Sequence, residues 1–223
     1  MRTHRGYFNW KLAVVLVLAV VVVAGTAVGL RQYQKTGRSE AALKTGNAAY
    51  EKGDWDQAAM DLGRYLVSHQ EDVAVLLKYA DAQVSRRPEK PANFQQAVAA
   101  YRNVLRLDAA NAEATRRLIE IYLSPAIRSP GEAELIASRY LQGNPGPHPE
   151  TRMMLGVAKA SLGQFEPAQQ EWQAVIDANS EHVPAYEALG SLAEQRPETV
   201  AHEAAYWYDL AVVKNPSSAL ALD

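Results

Sequence analysis

Two kinds of apolar pattern run along this chain. Leu12 to Leu30 is a run of 19 residues without a charge, dominated by Val and Leu. From Glu40 onward, apolar and Ala residues instead recur at three- and four-residue spacing, which predicts amphipathic helices. Pro and Gly punctuate this second region, and no alternation of apolar and polar residues predicts a strand.

The first run predicts a transmembrane helix. At helical rise it covers roughly 28 Å, close to the hydrocarbon thickness of a bilayer. Tyr7, Trp10 and Tyr33 flank it, where amphipathic rings favour the headgroup region, and Lys11 and Arg31 mark its ends. The rival reading is a cleaved signal peptide, because Leu12 to Ala24 has the length of an h-region and Gly25-Thr26-Ala27 offers small residues for cleavage. Apolar character continues through Ala27, Val28 and Leu30, longer than a signal peptide needs, which favours the anchor. Arg2, Arg5 and Lys11 before the span nearly balance Arg31, Lys35, Arg38 and Lys44 after it. A short tail before a first span is usually retained inside, which places the repeat domain outside the cytoplasm.

The helical region repeats itself. An alanine followed four residues later by a larger side chain occurs as Ala58 with Leu62, Ala97 with Tyr101, Ala168 with Trp172, and Ala204 with Tyr208; Ala133 with Ala137 is a weaker copy. These alanines are 39, 36, 35 and 36 residues apart. A second series, Gly46, Ala80, Ile119, Gly156 and Gly190, precedes it at separations of 34, 39, 37 and 34. Two small residues per unit allow two antiparallel helices to approach closely, and the larger residue fills the groove beside the crossing. Each such hairpin leaves an apolar face for the next to cover.

These units resemble tetratricopeptide repeats, a 34-residue helix–turn–helix family. The fifth carries Tyr186, Leu189, Gly190, Ala193, Ala204, Tyr208 and Pro216 in the family's order. The first has Gly46-Asn47-Ala48-Ala49-Tyr50, then Gly53-Asp54-Trp55 and Ala58; the fourth has Leu155-Gly156, then Gly163-Gln164-Phe165 and Ala168. Arg86-Arg87-Pro88-Glu89-Lys90-Pro91 lengthens the second turn, Ser124-Pro125 and Ser129-Pro130 the third, and Arg196-Pro197 interrupts the fifth. Such insertions bulge on the turn side at little cost. The fold expected is all-α: an α-solenoid of about five hairpins preceded by one transmembrane helix. It divides into a tail (1–11), the span (12–30), a linker (31–39) and a repeat domain (40–218), with units near 40–72, 73–111, 112–146, 147–182 and 183–218. Ala219 to Asp223 reads as the start of a further, truncated repeat.

Charge and chemistry narrow the function. The formal charge is −2, but Arg2, Arg5 and Lys11 precede or border the span, and without them 20 basic residues face 25 acidic ones. A mildly acidic body disfavours nucleic acid. Cysteine is absent, which excludes disulfides, a zinc ribbon and a catalytic thiol. His4, His69, His148, His182 and His202 have no metal-ligand spacing, and Tyr206 stands where a zinc-protease helix begun at His202-Glu203 needs a second histidine. All five read as solvated surface side chains. Asp54, beside Gly53, reads as a helix cap rather than half of a catalytic carboxylate pair with Asp56. Trp55, Trp172 and Trp207 read as packing residues rather than a stacking platform for bases. No phosphate-binding glycine loop or nucleophile elbow occurs, so no catalytic residue, metal or cofactor is expected.

What the resemblance implies instead is a groove lined by the first helices of successive hairpins. By register its candidates are Glu40, Leu43, Asn47, Tyr50 and Glu51, then Leu77, Asp81 and Val84, then Glu113, Arg116 and Glu120, then Met153 and Val157, then Glu187, Ser191 and Glu194. The alternative is a merely solvated face. Acids outnumber bases here, so the expected partners are protein or peptide segments that are basic, apolar or both. Asn47 stands where some family members use an Asn to hold a partner's terminal carboxylate, but the basic residues that accompany it there are absent. The expected function is a membrane-anchored scaffold or assembly factor. The alternative is the N-terminal repeat portion of a longer enzyme or sensor, and a weaker one is a structural spacer.

Overall fold

A computed structural model describes residues 37–200 and 202–214. The span at Leu12–Leu30, His4, Pro216 and the further repeat at Ala219–Asp223 lie outside these residues. Among the described residues no helix is long and apolar enough to cross a membrane.

Ten α-helices follow one another with no strand among the described residues: α1 (37–51), α2 (Trp55–Leu66), α3 (Val73–Ser85), α4 (Pro91–Leu107), α5 (Ala112–Leu123), α6 (Pro130–Gly143), α7 (Pro149–Ser161), α8 (Phe165–Ala178), α9 (Val183–Gln195) and α10 (Ala204–Lys214). Residues 37–39, read from sequence as linker, are already helical. The chain forms two compact units, one ending at His69 and one beginning at Gln70. The first contains the hairpin α1–α2. In the second, α3 packs on α4, α5 on α6, α7 on α8 and α9 on α10, and each hairpin packs on the next through α4–α5, α6–α7 and α8–α9.

Local chemistry explains where the helices begin and stop. Asp54, Asp72 and Asn111 are N-caps whose side chains accept hydrogen bonds from the backbone N–H of Gln57, Val75 and Ala114 at 3.2, 3.1 and 2.9 Å. Pro occupies the first turn of α4, α6, α7 and α9, where its missing N–H has no partner to lose. The turns after α1 and α7 share one geometry. Gly53 and Gly163 take φ of 72° and 77°, the left-handed region in which a Cβ is disfavoured. Gly53 N–H donates to Tyr50 O and Asp54 N–H to Ala49 O, both at 3.0 Å; Gly163 N–H and Gln164 N–H donate to Ala160 O and Lys159 O, both at 2.9 Å. This paired closure satisfies carbonyls that the helix end leaves open.

The small and large residues meet more directly than the sequence pattern suggests. A Cβ at Gly46 would lie 2.8 Å from Leu62 Cδ2, one at Gly156 would lie 2.6 Å from Trp172 Cε2, and one at Gly190 would lie 2.6 Å from Tyr208 Cε1. The large side chain therefore lies across the glycine itself, not beside the crossing. The indole Nε1–H of Trp172 also donates to Met153 O on the facing helix at 3.2 Å. Ala58, Ala80, Ala97 and Ala168 are fully buried, whereas Ala204 is half-buried at the start of α10. In the third hairpin the sizes are exchanged: Ile119 holds the small position and Ala137 the large one, and both are fully buried.

Polar ties reinforce two crossings. Asp61 on α2 is 3% exposed and accepts from Thr45 Oγ1 and Gln57 Nε2, both at 2.7 Å, and from Arg64 Nη1 at 2.8 Å. Glu171 on α8 follows its hairpin alanine by the same three residues, and it accepts from Lys159 Nζ at 2.7 Å and Arg152 Nη1 at 2.8 Å on α7. The longer turns after α3 and α5 leave the helix pairs intact; in the second, Ser129 N–H donates back to Tyr122 O at 2.7 Å.

Gly156→Ala and Ala168→Leu place new atoms in a filled crossing. Each is expected to cost about 1–3 kcal/mol, as overpacking of a well-packed core does. Denaturant melts of both variants against the parent measure it; unchanged midpoints would show that the crossing has slack.

Candidate partner groove

In the first unit the candidate residues lie on α1. Glu40 and Glu51 are exposed, while Leu43, Asn47 and Tyr50 are half-buried. The Tyr50 ring meets Trp55 edge-on with centroids 5.4 Å apart, which ties it to the hairpin turn. In the second unit, Leu77, Asp81, Val84, Arg116, Met153 and Ser191 are half-buried, and Glu113, Glu120, Val157, Glu187 and Glu194 are exposed. These positions share the first helices α3, α5, α7 and α9. Helix α5 touches α7 directly as well as α4 and α6, so these two first helices draw together on this side of the unit.

On α5 the acids are not bare. Arg116 bridges Glu113 at 2.8 Å and Glu120 at 2.6 Å. Arg117, which the sequence reading left out, reaches Glu113 at 3.0 Å, Glu120 at 3.5 Å and Asp81 of α3 at 3.6 Å. Three carboxylates thus share two guanidiniums. The spacing of Glu113, Arg116, Arg117 and Glu120 along one helix is the signal that identifies this set, since residues three and four apart face each other. Partial burial pushes the Glu113 carboxyl up, but hydrogen bonds and charge from Arg116 and Arg117 outweigh it, and the net shift is downward. Arg116 is shifted upward, chiefly by its hydrogen bond to Glu113.

Beside this cluster a cleft of about 400 Å³ opens between α5, α7 and the start of α9. Arg116 and Glu120 form one wall, Glu150, Met153 and Met154 another, and His182 and Pro184 the third. Arg116, Glu120 and Met153 belong to the sequence-derived set. Glu150, His182 and Pro184 were missed because they sit in or before first turns, away from the mid-helix register; Met154 follows Met153 on α7, one position off that register. A second, smaller cavity of about 130 Å³ lies where Asp81 and Val84 meet Arg117 and Glu120 over Phe94 and Tyr101. Glu187 and Glu194 line neither cavity. They lie near Tyr208, whose hydroxyl is pushed up by burial and further by these two carboxylates.

The histidines depart from the solvated expectation. His69 stacks on Tyr65 with ring centroids 4.1 Å apart. His148 is half-buried with φ of 37°, and its ring meets Tyr140 edge-on at 5.2 Å. His182 is the half-buried N-cap of α9, and its Nδ1 is buried without a hydrogen-bond partner. His202 alone of the four described is exposed. Among the described residues no group of three or more His, Asp or Glu side chains is placed to hold a metal ion. Trp172 and Trp207 are buried and Trp55 half-buried, in keeping with packing.

Residues 40–71 and residues 153–219 each match a model of the tetratricopeptide repeat. The first, fourth and fifth hairpins thus match the tetratricopeptide repeat in sequence. A crystal structure of MamA protein is similar over 82% of this chain and 94% of its own, at 20% identity and a TM-score of 0.67. MamA from Desulfovibrio magneticus RS-1, from residue 41 to its end, covers 81% of this chain and 96% of its own at 17% identity and a TM-score of 0.66. YrrB, described as a TPR protein with an unusual peptide-binding site, covers 81% of this chain and 88% of its own at 18% identity and a TM-score of 0.62. These likenesses show that the chain shares its helical-hairpin fold with those proteins. Comparison with curated protein sequences gives no match.

Glu113 offers a direct test of the α5 cluster. Its folded pKa lies below its ordinary value of 4.5, so the associated stability is present above that value and lost as pH falls through the folded one. Glu113→Gln removes this contribution. Its melting temperature is expected to fall less steeply than the parent's between about pH 5 and pH 3. Parallel slopes in thermal scans would show that the guanidiniums do not hold Glu113.

Proposed function

We propose that this protein is a membrane-tethered interaction scaffold that holds a partner segment on the first-helix face of its tetratricopeptide array. The observation that carries the reading is the cleft between α5, α7 and the start of α9. It joins apolar side chains at Met153, Met154 and Pro184 to carboxylates at Glu120 and Glu150. Its size suits one or two side chains of an extended segment. Arg116 and Arg117 already occupy much of the charge of Glu113 and Glu120. The acids most available to a partner are therefore Glu150 at the cleft and Glu187 and Glu194 on α9, all exposed. A segment with an apolar residue flanked by Lys or Arg fits this surface: the apolar side chain supplies contact area, and charge supplies rate and selectivity.

The test uses a fluorescent peptide of interspersed leucine and lysine. Association is expected to slow as salt rises, since exposed charges are screened beyond about 8–10 Å at physiological ionic strength. Glu150→Lys is expected to slow association several-fold with a smaller change in dissociation. A rate indifferent to salt and to this reversal would move recognition away from the cleft.

The tether rests on the uncharged run Leu12–Leu30. Full-length protein is expected to stay with membranes through a carbonate wash, and protein beginning at Gln32 to be released. A mature N-terminus near Val28, read by mass spectrometry, would make the run a signal peptide and overturn the tether.

A further inference from the structure

The second-helix side of the larger unit carries a separate cleft of about 620 Å³, between α4, the start of α5 and α6. It shares no lining residue with the cleft on the first-helix side. Its floor is apolar: Ile136 and Tyr140 are buried, and Leu135 stands half out of the surface at 50% exposure. Leu105, Ala109 and Ala110 line the cleft with it, so the exposed surface of Leu135 belongs to an apolar patch rather than to a lone side chain.

The rim is basic. Arg102, Arg106 and Arg139 surround the floor, opposed within the cleft by Glu132 alone. Arg102 Nη2 bridges Glu132 Oε2 at 2.8 Å, and its guanidinium lies 5.6 Å from the centre of the Tyr122 ring. Arg106 is held by its neutral neighbour Asn103, donating from Nε and Nη2 to Oδ1 at 3.1 and 2.9 Å. Neither Arg106 nor Arg139 forms an ion pair among the described residues. Asp108, just outside, is turned toward Ala110 N–H and Asn111 Nδ2–H, which donate to it at 3.2 and 3.0 Å. Two guanidiniums thus remain uncompensated around an apolar floor, on a body whose acids otherwise outnumber its bases.

We infer that this cleft is a second docking site, for an acidic amphipathic peptide segment whose carboxylates meet Arg106 and Arg139 and whose apolar side chain covers Leu135. Guanidinium forks pair with carboxylates through two parallel hydrogen bonds, which gives the site its preference for acids. The charge of the body argues against a broad anionic surface as occupant. A flat anionic membrane would also meet the surrounding acids, whereas a short segment in the cleft meets three arginines and one acid, Glu132, which Arg102 already pairs. The array therefore offers two sites of opposite preference, basic segments on the first-helix side and acidic ones on the second-helix side.

The test uses full-length protein in a mild nonionic detergent and three labelled peptides followed by fluorescence anisotropy. One has leucines flanked by Asp and Glu; the second replaces its acids by Lys; the third keeps the acids and replaces its leucines by Ser. The first is expected to bind to the R106E/R139E variant about tenfold more weakly than to the parent, the sum of two exposed charge pairs. Leu135→Ser is expected to weaken it and to leave the weak binding of the third peptide unchanged. All three substitutions are at partly or fully exposed side chains, and matching melting curves verify the fold. Glu150→Lys on the opposite side is expected to leave this binding intact, which separates this site from the groove. No binding of the acidic leucine peptide, binding unaffected by R106E/R139E and by Leu135→Ser, or an equal loss of the lysine counterpart's binding in R106E/R139E would overturn the proposal. Displacement of the peptide by dihexanoyl phosphatidylserine at matched concentration would also overturn it, in favour of a lipid site.

Discussion

An indole lying across a bare α-carbon leaves almost no room for error, and three of the five hairpins are closed by a contact of this kind. Leu62 over Gly46, Trp172 over Gly156 and Tyr208 over Gly190 each bring two helix backbones together at a place where even a methyl group would collide. Because protein interiors are packed as densely as organic crystals, such a contact fixes both the distance between the helices and their rotation about their own axes. Rotation is what matters for the surface. With the glycine face of α7 held against Trp172, Met153 and Glu150 have one direction left to point, and the cleft beside α5 follows. Asp61 and Glu171 add polar ties at the same register. A buried carboxylate needs its donors, so these ties also resist sliding of one helix along the other.

Charge is distributed by helix rather than by net balance. On α5 the acids and arginines alternate at spacings that let them satisfy each other, so this helix presents a mixed and largely self-compensated surface. The acids of α9 and the first turn of α7 lack such partners on their own helices, as do Arg106 and Arg139 on the opposite side. The groups that a partner would meet are those left over after local pairing. A count of acids and bases along the groove overstates the field at α5 and passes over the arginines of α4 and α6 altogether.

The hairpin pattern was legible in the sequence because it is carried by size and spacing, which a one-dimensional reading preserves. Gly156 and Trp172 sit in series that repeat down the chain, and their meeting follows from register. Asp54 as a cap was legible for the same reason: its role is set by its immediate neighbours. Arg117, Glu150 and His182 were not. Arg117 reaches Asp81 of the preceding hairpin, and Glu150 and His182 line the cleft from first turns, so their placement depends on how successive hairpins lean. That information lies between repeats rather than within one. The cleft around Leu135 was missed for a further reason. The family resemblance directs attention to the first helices, and residues on the second helices read as scaffold.

The third hairpin has a consequence for how such a protein can change. Its small and large positions are exchanged, Ile119 on the first helix and Ala137 on the second, while the fourth pairs Gly156 with Trp172. Mixing them would fail in both directions: isoleucine against tryptophan has too much volume for one crossing, and glycine against alanine leaves a void. The two helices of a unit are therefore inherited as a couple. Duplication or recombination that cuts in the turn within a hairpin yields mismatched halves, whereas a cut between hairpins preserves every complement. A closed hairpin is the smallest piece that could be added to or removed from this chain without leaving a crossing mismatched.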